Sequence, residues 1–434
     1  MRDLRTVLRP IAGRAGDLDA VLERIGEARI VGLGEATHGT HEMYSVRAEL
    51  TRRLVEEKGF STVIVEADWP DAYRVNRYLR GSGDDHTAEE ALADFVRFPR
   101  WMWRNTDVVE LVTGLRERNR GRPIEERVGF YGMDLYSLYG SMAAVVRYLE
   151  GVDPEGANRA RTRYDCFDRF DGDPQLYGRV AGIGLGPDCE DAAVDQLLDM
   201  LQKAEVHVRG RGLVALDDEL VAQQNARVVR KAEQYYRAMF GGHADTWNLR
   251  DSHMTETIEH LRDHLRATGR SDKVVIWGHN THVGDARATE MGEHGQLSVG
   301  QLLRERHGGD VVLVGFTTHR GSVTAASRWD GPAEKMRVRA ALDGSWEDLF
   351  HELGEPSFVL STQDAPDALT GWKLERAIGV VYLPRSERES HYFRADIGRQ
   401  FDLLVHLGET SAVSPLERWS KIEADRGETY PFGV

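Results

Sequence analysis

A glutamate and a histidine, Glu35 and His38, stand three residues apart directly after the short apolar run Arg29-Ile-Val-Gly-Leu-Gly34. A carboxylate beside an imidazole is the pairing that taking a proton from water requires. Histidine titrates near neutrality, and a carboxylate on its far ring nitrogen fixes the tautomer and steadies the imidazolium. An isolated Glu-x-x-His is more often a helix cap followed by a polar loop residue, so the pair carries weight only in company. Glu66 closes the run Ser61-Thr-Val-Ile-Val-Glu-Ala67, and Asp134 follows Arg127-Val-Gly-Phe-Tyr-Gly-Met133. His279 and His282 follow Lys273-Val-Val-Ile-Trp277. Four apolar runs thus end on ionisable groups.

Such runs are short and β-branched, as buried strands are, and helical spacing follows the first three of them. Strands alternating with helices predict an α/β fold with a mainly parallel central sheet flanked by helices. In such a sheet the carboxyl ends of the strands share one edge, where ligands bind, so Glu35, His38, Glu66, Asp134, His279 and His282 are expected to converge. Gly32 and Gly34 are read as allowing a sharp exit from the first strand through unusual backbone angles. Further strands are expected at Val311–Phe316, Ser357–Ser361, Ile378–Leu383 and Phe401–Val405, the first ending near Thr317, Thr318 and His319. Gly151 to Gly186 is rich in Gly, Pro, Asp and Arg and reads as a loop-rich junction. From Asp188 to about Thr268 only helical periodicity remains, including Leu216 to Phe240 and Trp247 to Ala267. The expected division is 1–186 and 270–434 as two parts of the α/β core, with 187–269 as a helical insertion over the cleft.

The balance of 56 basic against 71 acidic residues, a net charge of -15, argues against nucleic acid or an anionic membrane as partner. Cys166 and Cys189 are the whole cysteine complement. They make no disulfide framework and no thiolate zinc motif, which suits a reducing cytoplasm, and whether they pair is left open. The start lacks the continuous apolar core of a signal peptide, and no run reaches membrane-spanning length. A soluble cytoplasmic protein acting on a small molecule is the expectation, with no cofactor. No Walker loop or Gly-x-Gly-x-x-Gly opens a βα unit, and no Gly-x-Ser-x-Gly elbow is present. Direct attack by an activated water therefore fits better than a covalent nucleophile. The same His and carboxylate set would suit zinc or a non-haem metal, but His-Glu-x-x-His is absent and His279-x-x-His282 is weakly diagnostic. Metal-free chemistry is the preferred reading.

Around these groups lies Phe95-Val-Arg-Phe-Pro-Arg-Trp-Met-Trp-Arg104, dense enough in aromatics to fill a core or to wall an apolar pocket with Trp103. Arg104 would hold a substrate oxygen or stack on a ring, and Arg47 would face the Glu35 turn or be a solvated charge. Arg250 would bind an anion or brace structure. His253, His260 and His264 lie in a charged helical stretch and read as facing solvent.

With these residues assembled, the sequence resembles the erythromycin esterase family, sometimes labelled succinoglycan-biosynthesis-related. The carrying motifs are Gly34-Glu-Ala-Thr-His-Gly-Thr-His-Glu42, Val65-Glu-Ala-Asp68, Gly132-Met-Asp134, Trp247-Asn-Leu-Arg-Asp251 and Trp277-Gly-His-Asn-Thr-His-Val283. The resemblance implies an α/β core with a helical portion around a deep cleft, and hydrolysis of a macrolactone ester. It implies His38 as the base that activates water, with Glu35 as its partner. Glu66, His279 and His282 would orient water or steady the oxyanion. Asp134, Arg47, Arg104 and Arg250 would contact substrate, and Trp103, from the aromatic stretch itself, is a further candidate contact. A metal-dependent hydrolase and a non-catalytic small-molecule binding protein are the alternatives on the same scaffold.

Overall fold

Apolar residues on both faces of every central strand require cover on both sides, and the fold supplies it. The computed structural model describes residues 4–14, 16–182, 184, 189–208, 212–239 and 243–417. Gly186, Asp188 and Phe240, named above as segment limits, lie outside them. In chain order the strands are β1 (Arg9–Pro10), β2 (Ile30–Leu33), β3 (Thr62–Asp68), β4 (Gly129–Asp134), β5 (Val274–Trp277) and β6 (Val311–Ala325). They continue with β7 (Glu334–Val338), β8 (Ser357–Ser361), β9 (Lys373–Arg376), β10 (Tyr392–Ala395) and β11 (Leu403–Thr410). One nine-stranded sheet runs β1-β8-β11-β6-β2-β5-β3-β4, with β7 on β6, and β9 and β10 form a separate ribbon. From β11 to β4 the neighbours are parallel.

Alternation along each strand sorts the core. Val31, Leu33, Val63 and Val65 face the helices His41–Glu57 and Thr106–Asn119 through Leu50, Leu54 and Leu111. Ile30, Ile64 and Ile276 face the helix His243–Ala267 through Met254, Ile258 and Leu261. A third apolar cluster joins the helices Leu138–Val152, Pro154–Asp168, Pro174–Gly182, Glu190–Val208 and Gly212–Ala238.

Several expectations are corrected. The described part of 151–186 is helical, because Asp153 caps Gly156 N–H, Pro154 opens the helix, and Ala157, Ala160, Tyr164 and Phe167 line one buried side. Ile378–Leu383 is not a strand; it crosses as a loop with single bridges from Ile378 to Thr37 and from Val381 to Ala326. β6 continues past His319 to Ala325, where it gains β7. His253 and His264 do not face solvent. The helix His243–Ala267 is covered on both sides, so His253 is buried and His264 Nε2 lies 2.7 Å from Asp217 Oδ1. Cys166 and Cys189, whose pairing the sequence leaves open, are joined by a disulfide with Cα atoms 6.1 Å apart. Among the described residues no helix is long and apolar enough to cross a membrane.

Candidate active site

The turn leaving β2 is tight because three elements press on it. A Cβ on Gly34 would stand 2.2 Å from Asn280 Oδ1 and 3.0 Å from the Val314 carbonyl, and one on Gly32 would stand 2.8 Å from Val283. Neither glycine has positive φ, so close approach, rather than an unusual backbone angle, demands them. Gly34→Ala is expected to destabilise the fold by about 1–3 kcal/mol through overpacking, read as a lower midpoint in urea unfolding.

That turn presents Glu35 and His38. Nδ1 of His38 lies 2.8 Å from Glu35 Oε1, and the other carboxylate oxygen accepts from Arg47. Arg47 is 1 % exposed, its guanidinium 4.6 Å from the Tyr44 ring centroid and 4.4 Å from that of Trp277. It lies beneath the carboxylate and does not line the cleft. The expected substrate contact is replaced by a brace for Glu35.

Across the crevice the other groups assemble on Arg250. Its Nε and Nη2 donate to Asp134 at 3.0 and 2.7 Å, Nη2 also reaches Glu66 Oε1 at 2.8 Å, and Nη1 lies 3.0 Å from His282 Nε2. Glu66 Oε2 accepts the backbone N–H of His279 at 2.8 Å. Burial opposes ionisation of Glu66, but His282 and Arg250 outweigh it and hold the carboxyl far below its usual range. His282 Nδ1 lies 2.9 Å from both oxygens of buried Asp251, and its ring stacks on Trp247 at 4.5 Å. Burial alone would lower His282; Asp251 and Glu66 instead lift it above its ordinary value. His279 is pushed well below its ordinary value, by burial first and then by His38. Its Nδ1 accepts from the hydroxyl and backbone N–H of Thr281 at 2.8 and 3.3 Å. The proton is therefore on Nε2, which lies beside the Ala36 carbonyl without a hydrogen bond of good geometry. The His38 and His279 rings are 4.9 Å apart, so the early Glu–His pair and the later twin histidines do meet.

The cleft they share is walled by Phe95, Phe98, Trp103, Tyr136, Tyr235, Trp247 and Trp329. The aromatic stretch at Phe95–Arg104 serves both readings: Trp101 fills the core while Trp103 faces the cleft. Arg104 turns the other way, bound to the Leu92 carbonyl and Glu417, because adjacent side chains diverge as the chain leaves a 3₁₀ turn. It is not a cleft residue. Asp251, Thr281, Tyr136 and Tyr235 were not among the expected site residues. Asp251 had a signal in standing beside Arg250 in the Trp247-Asn-Leu-Arg-Asp251 motif; the tyrosines had none. Among the described residues no group of three or more His, Cys, Asp or Glu side chains is placed to hold a metal ion. The reason is visible: the guanidinium of Arg250 occupies the point between Glu66, Asp134 and His282 where a cation would sit. The residues do not fit a metal centre.

The erythromycin esterase family profile matches residues 55–410. This chain belongs to that family. Erythromycin esterase type II of Escherichia coli is 21 % identical over 418 residues, covering 92 % of this chain and 93 % of that one. A solved succinoglycan biosynthesis protein superposes with a TM-score of 0.75 at 19 % identity, covering 95 % of this chain and 97 % of the other. An erythromycin esterase variant in its open conformation gives 0.68 at 17 % identity, with 96 % and 98 % covered. As an erythromycin esterase family member, the chain is a hydrolase of the esterase kind, and its mixed α/β sheet is the fold of those neighbours.

Proposed function

We propose that this protein opens a bulky carboxylic ester, a macrolactone among the class, with water activated by His38. The observation that supports this reading most is the buried Glu35–His38 pair with the His279 ring 4.9 Å across the cleft. Glu35 accepts the Nδ1 proton, so Nε2 of His38 is left to take a proton from water as it attacks the carbonyl carbon. Arg47 fixes Glu35 in place through their buried ion pair. His279, neutral and with its Nε2 proton turned toward the Ala36 carbonyl, flanks His38 across the cleft, and Arg250 with Glu66 supplies the fixed field behind it. The proton taken by His38 then passes to the leaving alkoxide. The aromatic walls of the cleft suit an apolar substrate larger than a simple acetyl ester.

The experiment is purified protein incubated with a panel of macrolides and generic esters, each followed by mass spectrometry for the gain of one water. At least one bulky ester is expected to be opened, at a rate unchanged by chelator and without stoichiometric metal in elemental analysis. Failure to open any of the panel, or turnover abolished by chelation and restored by one metal, would overturn the reading.

A further inference from the structure

Asp251 and His282 form a second carboxylate–imidazole pair, and its chemistry constrains more than one ring. Asp251 is 0 % exposed. Both its oxygens lie 2.9 Å from His282 Nδ1, and Oδ1 also accepts the Val299 N–H at 3.1 Å. An ionised carboxylate only accepts, so Nδ1 carries the proton, and in the neutral ring Nε2 must itself be an acceptor. Arg250 Nη1 donates to that nitrogen, while the same guanidinium holds Glu66, and Glu66 holds the His279 backbone. The geometry points to Asp251 as a positioning residue that sets the His282 tautomer and, through Arg250, keeps Glu66 in register with His279. Its effect on turnover rests on the ester-hydrolysis reading; its effect on the tautomer does not.

A merely structural Asp251 would satisfy buried donors and nothing else. Two substitutions separate the roles. In Asp251→Asn the amide oxygen can stay on the Val299 N–H and still lie within reach of His282 Nδ1, because both carboxylate oxygens are 2.9 Å from that nitrogen, so an acceptor for Nδ1–H survives. In Asp251→Ala no acceptor is left for Nδ1–H, and the proton is free to move to Nε2, where it meets the Arg250 N–H donor to donor. The near-isosteric variant should therefore keep the wild-type tautomer, and the truncated one should lose it.

The test uses the full chain labelled with ¹⁵N-histidine, the His282 signals being assigned by their loss in His282→Asn. Spectra are taken at a pH where the same titration shows His282 neutral. The titration is shared with Arg250 and Asp251 on its helix partner, Glu66 and Asp134 at the ends of β3 and β4, and His279 in its own turn. Wild type and Asp251→Asn are expected to keep Nε2 unprotonated, and Asp251→Ala to show protonated Nε2. On an ester from the panel, kcat of Asp251→Ala should fall about 10²-fold, further than that of Asp251→Asn, with KM little changed. An unchanged tautomer in Asp251→Ala, or losses in both variants that simply follow their melting temperatures, would overturn the proposal. If wild type opens no ester, the tautomer measurement decides by itself, and only the hydrolase reading fails.

Discussion

Replacing His38 with alanine is expected to lower kcat by about 10²–10⁴-fold, the usual worth of a positioned general base, with KM and the melting temperature little changed. The separation follows from what the side chain touches. His38 meets Glu35 on one nitrogen, lies 4.9 Å from the His279 ring and lines the cleft, so its loss leaves the apolar core clusters intact. Glu35 keeps its ionic partner Arg47, so no buried carboxylate is left uncompensated. The aromatic walls that would grip substrate are untouched, which is why KM should hold. Free imidazole added to His38→Ala should restore part of the rate, because the alanine leaves space beside Glu35. Steady-state kinetics on an ester opened by wild type, with a thermal melt alongside, checks each part. Equal turnover by wild type and variant would remove His38 from the role, and a collapsed melt would mean that the side chain braces the fold instead.

The residues differ in how much of this was readable before any coordinates. The strand ends were readable because burial on both faces writes itself as unbroken β-branched runs, and a parallel sheet then brings Glu66, Asp134, His279 and His282 to one edge without further information. Arg47 was not, since nothing local distinguishes an arginine on a solvated helix face from one sealed between Tyr44 and Trp277; the difference comes from a strand more than two hundred residues later. Arg104 and Trp103 could not be told apart in direction for the same reason. The helices at Pro154–Asp168 and Pro174–Gly182 were masked by their polar composition, although the four-residue spacing of Tyr164 from Ala160 was there to see. Ile378–Leu383 has the letters of a strand, yet it packs as a loop beside Ala36, with Ile378 N–H donating to the Ala36 carbonyl at 2.8 Å, and Gly379 and Val380 face the cleft. Local preference was overruled there by what the site needed as a wall.

Arg250→Met should cost about 3–5 kcal/mol of folding stability, the loss expected when one partner of a buried ionic cluster is removed and the others stay charged. Three groups depend on this guanidinium: Asp134 through two hydrogen bonds, Glu66 through one, and His282 Nε2 through another. The cost should also vary with pH in a definite sense. Glu66 in the folded protein is held below its ordinary carboxylate value, against burial, by His282, Arg250 and His38. Its contribution to stability is therefore fully present above the unfolded carboxylate value of about 4.3 and fades as the pH falls toward the lower folded value. Without Arg250, burial prevails more strongly and Glu66 takes up a proton at higher pH than in wild type. The gap between the two proteins should be widest near neutrality and should narrow as the pH is lowered through the carboxylate range, since the variant's neutral Glu66 no longer needs a cation. Arg250→Lys should recover only part of the loss, because a single ammonium cannot serve three acceptors set out for a planar fork. Urea unfolding of the three proteins across a pH series measures this directly. A gap independent of pH would show that Arg250 acts by packing against Tyr136, whose ring lies 5.0 Å from its guanidinium, and that the charges around it are balanced by other means.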